Sequence, residues 1–181
     1  TGHSDRMRLV ANVNPHLHYP VEEELARQLD LGAVACKIHP VHAGFPANDR
    51  SMYPAYALCQ EAGIPLVVHC GTSTFAGAMN TYADPIVLDD VLRDFRSLEV
   101  VLAHGGRGWW YDAAAFLALS HERVWIELSG LPPSRLRDYY ARLLTPEVED
   151  ELSHSEGVGP VARRIWKQMA SDGWAGIGWP P

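Results

Sequence analysis

Val100–Gly106 reads VVLAHGG, an apolar and largely β-branched run that ends on a histidine and two glycines. A run with no polar alternation is what a strand covered on both faces requires, and such strands belong to parallel sheets. Strands are expected at Val100–Ala103 and, earlier in the chain, at Leu66–His69 and Val34–Ile38, whose ends read VVHCG and CKIHP. Working outward, Arg8–Val13 and Val124–Leu128 complete a set of five strand-like runs. Successive starts lie roughly thirty residues apart, the length of a strand, a crossover helix and two loops, so the repeat is βαβ and not a series of hairpins.

The segments between these runs carry helical spacing. Val21, Leu25 and Leu29 fall four apart, Glu22, Glu23 and Glu24 load the first turn with negative charge, and Gly32 closes the helix. A second helix is expected from Asn48 or Asp49 to Gly63, with Met52, Tyr53 and Tyr56 turned inward. Asp84 followed by Pro85 marks a third start leading to Phe95. Trp110–Leu119 and Ser134–Leu144 are expected to be helical as well. Beyond Leu144 the turn formers and charges of TPEVEDELSHSEGVGP replace periodic apolar content. Val161–Met169 is read as one more helix and Trp174–Trp179 as a short terminal strand.

Composition narrows the function classes. The chain has 181 residues, 47% hydrophobic, with a formal net charge of -7. That length supports one large domain, and an acidic balance without a Lys/Arg run disfavours nucleic acid and anionic membrane surfaces as partners. Small-molecule partners are expected instead. Cys36, Cys59 and Cys70 are odd in number and lie in apolar stretches, which points to a reducing compartment and hence the cytoplasm. No apolar run reaches the roughly 18 to 20 residues of a membrane span.

In parallel βα architectures, side chains from different strands meet at the strands' C-terminal ends. Lys37 and His39 fall two apart at one such end, and His69 and His104 each close an apolar strand immediately before glycine. Any one of them alone reads as a core histidine or, for Lys37, a snorkelling stem. Three successive strand ends bearing imidazole suit either a proton-transfer site or a Zn-type site. Glu127 and Ser129 stand at the next end, where Glu127 either orients a histidine or forms a structural ion pair. Gly71, Gly105 and Gly106 read as turn formers or as room for a substrate. His16 and His18 have the spacing of a metal pair but stand on a Pro-flanked loop. Trp109 and Trp110 either wall a pocket or pack a helix on the sheet.

The stretches KIHPVHAGFPANDRSMYPAYALCQEAGIPLVVHCG, DDVLRDFRSLEVVLAHGG and LSGLPPSRL resemble the amidohydrolase-related family of metal-dependent hydrolases and decarboxylases. The resemblance runs from about Leu9 to Leu144. It implies an α/β fold of TIM type, a (β/α)8 barrel, here incomplete with about six βα units or completed by a partner chain. It further implies a single barrel-type domain over 1–181, with 145–181 as a divergent C-terminal segment. By the resemblance His69 is a metal ligand and His104 the catalytic acid/base beside metal-bound water. Lys37, His39 and Trp109 are substrate-binding candidates, and the cofactor is one divalent metal, commonly Zn. The implied reaction is hydrolysis or non-oxidative decarboxylation of small carboxylated or cyclic substrates. The chain departs from the family pattern twice: it begins near the third strand, without the HxH pair of the first, and Gly178 in GIGWPP occupies the place of the last strand's carboxylate. Two rivals follow, a metal-free subunit acting through its open sheet edge and a metal-independent lyase or ligand binder. A homo-oligomer or hetero-subunit is expected.

Overall fold

A computed structural model describes residues 7–130, and the five strand-like runs form one parallel sheet within them. The strands are β1 (Leu9–Asn12), β2 (Ala33–Ile38), β3 (Leu66–Gly71), β4 (Val100–Arg107) and β5 (Val124–Glu127). Their order in the sheet is their order in the chain, each parallel to the next. A sheet that grows by one strand per crossover without reversing has the topology of a TIM-type barrel and not of a doubly wound sheet. The expected helices at Ser134–Leu144 and Val161–Met169, the terminal strand and Gly178 lie outside the described residues.

Each crossover begins and ends where its chain chemistry dictates. α1 (Val21–Asp30) carries its three glutamates at the positive end of the helix dipole and buries Val21 and Leu25, while Gly32 takes φ 90° just after it. A short α2 (Pro40–Ala43), not anticipated from the sequence, starts on Pro40 directly after β2 and closes on left-handed Gly44. The second expected helix enters as a 3₁₀ turn over Arg50–Met52, capped by the Asp49 carboxylate accepting from the Ser51 N–H, and continues as α3 (Tyr53–Ala62) to Gly63. Asp84 caps a similar 3₁₀ turn that leads into α4 (Leu88–Asp94). α5 (Tyr111–Ser120) packs on β4 and β5.

The sheet's two faces have different duties. Ala11, Cys36, Ile38, Leu66, Val68, Val100, Leu102 and Val124 join Tyr56, Leu88 and Leu117 from the helices in one core. Burying this apolar surface, at about 25 cal/mol per Å², is the main driving force for docking the helices. The other face carries Asn12, Lys37, Val67, Val101 and Trp125 in one row across the five strands, by the pairings Asn12↔Lys37, Lys37↔Val67, Val67↔Val101 and Val101↔Trp125. One step toward the strands' C-terminal ends, His69, Ala103 and Glu127 form a second row.

β3 and β4 run further than their sequence suggests, and between them the register breaks. His69 pairs with Ala103 and Gly71 with Arg107, so His104, Gly105 and Gly106 stand opposite Cys70 alone. The extra residues bulge from the ladder, a device that re-aims side chains. All three have positive φ: 69°, 52° and 72°. The glycines are sterically required around this bulge. A Cβ on Gly106 would meet the Trp110 carbonyl oxygen at 2.2 Å, and one on Gly71 would meet the Arg107 backbone nitrogen at 2.6 Å.

Candidate active site

Four imidazoles follow one another across the strands' C-terminal ends. His39 leaves β2, and the turn of α2 brings His42 back beside it, ring centroids 4.8 Å apart. His39 stacks on His69 at 3.9 Å with 19° between planes, and His69 meets His104 edge-on at 4.8 Å and 66°. The structure brings the three expected histidines ring against ring, together with His42, which the sequence reading passed over. Its only signal was the three-residue step from His39 in HPVH, one helical turn.

The hydrogen bonds fix which nitrogens remain available. His69 Nε2 donates to the Gly71 carbonyl at 3.1 Å, so in the neutral ring Nδ1 carries the lone pair. His104 Nδ1 donates to the Ser129 carbonyl at 2.8 Å and lies 2.9 Å from Ser129 Oγ. Ser129 Oγ donates in turn to Glu127 Oε2 at 2.8 Å, and the Ser129 and His104 backbone N–H groups donate to the same carboxylate at 2.6 and 3.3 Å. His104 therefore presents the lone pair of Nε2, with a carboxylate oxygen 3.9 Å from its other nitrogen. His42 Nε2 lies 2.9 Å from Ser73 Oγ. His39 Nδ1 is buried without a hydrogen-bond partner among the described residues.

The electrostatics keep the middle of this row neutral. Burial, then the neighbouring His39, His104 and Lys37, push the His69 imidazole from its ordinary 6.5 down to about 3. Burial, then His42 and Lys37, push His39 down to about 4. Burial also lowers Lys37, against the opposing pull of groups that include Glu127. Desolvation and like charges act in one direction here, so the central imidazoles are bases held without protons at neutral pH.

A Zn-type ion binds in the imidazole plane about 2 Å from nitrogen. Two rings stacked face to face at 3.9 Å cannot both direct a lone pair at one ion, so His39 and His69 do not act together as ligands in this arrangement. Among the described residues no group of three or more His, Cys, Asp or Glu side chains is placed to hold a metal. The residues from 7 to 130 alone do not make a metal site.

The remaining candidates fall elsewhere. Lys37 is on the row beneath the imidazoles, close enough to depress both His39 and His69. Trp109 is 76% exposed and leans on Trp110 at 5.6 Å. His16 Nε2 approaches the Gly44 carbonyl at the end of α2 and His18 Nδ1 accepts from the Asn14 N–H, so both fasten the loop after β1. Among the described residues no helix is long and apolar enough to cross a membrane.

Residues 1–154 match the family model described as Amidohydrolase. The chain is similar to a TIM-barrel protein of Bordetella bronchiseptica, at TM-score 0.60 and 21% identity, over 93% of this chain and 69% of that one. That likeness and the sheet topology make the fold an incomplete TIM-type barrel. An amidohydrolase of Mycobacterium avium subsp. paratuberculosis aligns at TM-score 0.41 and 18% identity over 73% of this chain and 45% of that one. A stretch of 48 residues is 48% identical to the acyl-CoA dehydrogenase FadE26 of Mycobacterium tuberculosis. It makes up 25% of this chain and spans 12% of the length of that curated relative.

Proposed function

This chain belongs to the amidohydrolase family, and from that premise we propose that it serves a hydrolase or non-oxidative decarboxylase of small carboxylated or cyclic substrates, with His104 as the proton carrier. The observation that carries this reading is the Glu127–Ser129–His104 chain. It holds Nδ1 as a donor and leaves Nε2 as a base. In hydrolysis Nε2 takes the proton of the attacking water, and the Glu127 carboxylate offsets the imidazolium that forms. In decarboxylation the same nitrogen, once protonated, returns a proton to the carbanion. Lys37 and His39 supply donors for a substrate carboxylate, and Trp109 lines the approach.

A divalent metal, Zn by family resemblance, is the cofactor of this reading. His69 Nδ1 is the nitrogen this chain would offer it, and the remaining ligands would have to come from outside residues 7–130. Among the described residues the outer edges of β1 and β5 have no partner strand, which supports assembly with a second copy or another subunit. The stacking of His39 on His69 supports a second reading, a metal-free subunit; metal analysis of the purified protein separates the two at about one ion per chain against none.

The test is turnover across a panel of lactones and aromatic carboxylates, followed by acid and carbon dioxide release. His104→Asn is expected to lose on the order of 10²- to 10⁴-fold in kcat. Glu127→Gln is expected to lose less, with a shifted pH profile, because it disturbs His104 without touching the substrate. Full activity in His104→Asn refutes the assignment.

A further inference from the structure

We infer that the loop after β3 forms a binding subsite for the apolar arm of an amphiphilic carboxylate, its anionic head directed to Lys37 and the imidazoles. Phe75 and Met79, 77% and 51% exposed, stand on one short loop beside the imidazole row, with the Phe75 ring in contact with His42. Their loop is firmly built. Ser73 N–H donates to Asn80 Oδ1 at 2.8 Å, Asn80 Nδ2 returns a bond to the Ser73 carbonyl at 3.1 Å, and Met79 N–H donates to the Val41 carbonyl of α2 at 2.8 Å. Ser73 Oγ ties the same loop to His42. Two apolar groups are thus presented without the entropy cost that a loose loop would pay on binding.

Their position selects the ligand. The Phe75 ring is 6.3 Å from His42, and His42 is 4.8 Å from His39, so an apolar patch adjoins a row of neutral imidazoles that can donate hydrogen bonds, with the Lys37 ammonium on the row beneath them. Met79 lies over Gly44, near enough that a Cβ there would be in ordinary contact with its sulfur at 3.4 Å, which places the loop against the C-terminal end of α2. A ligand spanning both parts needs a carboxylate at one end and an alkyl or aryl chain at the other. This substrate class rests on the function proposed above, but the subsite itself is read by binding alone.

The experiment is calorimetric titration of the protein with n-alkanoates from butanoate to octanoate. Each added methylene is expected to tighten Kd roughly 2- to 4-fold in the wild type. Phe75→Ser/Met79→Ser is expected to flatten that dependence, and Lys37→Met to weaken every chain length alike without changing the slope. Both loop side chains are exposed, so circular dichroism should be unchanged; if the double variant does not fold, Phe75→Ser alone is read in its place. A flat series in the wild type, or an unaltered slope in the loop variant, overturns the subsite. A retained slope in inactive His104→Asn, beside full wild-type turnover, supports both conclusions. A slope without any wild-type turnover leaves the subsite standing and removes the proposed reaction, and turnover with a flat series does the reverse.

Discussion

Acid should unfold this protein through His39 and His69 well before its carboxylates are titrated. In the unfolded chain each imidazole takes a proton near pH 6.5, whereas in the folded protein they do so only near 4 and 3. The depressed folded values mean that the stabilisation is complete above pH 6.5 and is lost as pH falls from there toward 4 and then 3. Between pH 7 and 5 the unfolded state gains about three-quarters of a proton at each site and the folded state almost none. Linkage puts the loss at about 2 kcal/mol per ring, or about 4 kcal/mol for the pair, as an upper bound that solvent screening at the half-buried His39 and relaxation of the folded state would reduce. With an m-value of about 2 kcal/mol per M, the urea midpoint should fall by up to about 2 M. The assay is urea unfolding of chelator-treated protein at pH 7 and 5, beside His69→Gln. The variant starts less stable at pH 7, but its drop to pH 5 should be smaller by about half. An equal drop in wild type and variant would refute the reasoning.

Gly106→Ala should fail to fold or lose more than about 3 kcal/mol, because φ 72° and an oxygen 2.2 Å from the new Cβ act together; thermal melts against Gly32→Ala, where the Cβ meets nothing, check this. Light scattering should find a dimer or larger assembly if a second copy covers the sheet edges that have no partner strand among the described residues, and a clean monomer would count against that proposal.

The fold was legible because parallel strands leave a coarse record. VVH, VVLAH and VWIE are apolar on both faces, and the loops between them are too long for hairpins, so their order and direction follow. The meeting of His39, His69 and His104 was legible for the same reason, since strand ends in such sheets converge. What escaped the sequence was local geometry that no periodicity encodes. The short α2 depends on Pro40 meeting a strand end, and without it His42 has no reason to approach His39. The stacking of His39 on His69 depends on the angle between neighbouring strand ends, to which residue spacing is blind, and it opposes the shared-ion geometry that a row of histidines suggests. The three-residue bulge at His104 was concealed because a His-Gly-Gly turn and a bulge have the same spelling.

His104 occupies backbone space, φ 69°, that glycine tolerates far better than any side chain bearing a Cβ. Replacing it with glycine would relieve that conflict while deleting the imidazole. Engineers ranking a mutant library by melting temperature alone would then enrich the variant that lacks the imidazole proposed above as the proton carrier. Any campaign to harden this scaffold should hold codon 104 constant.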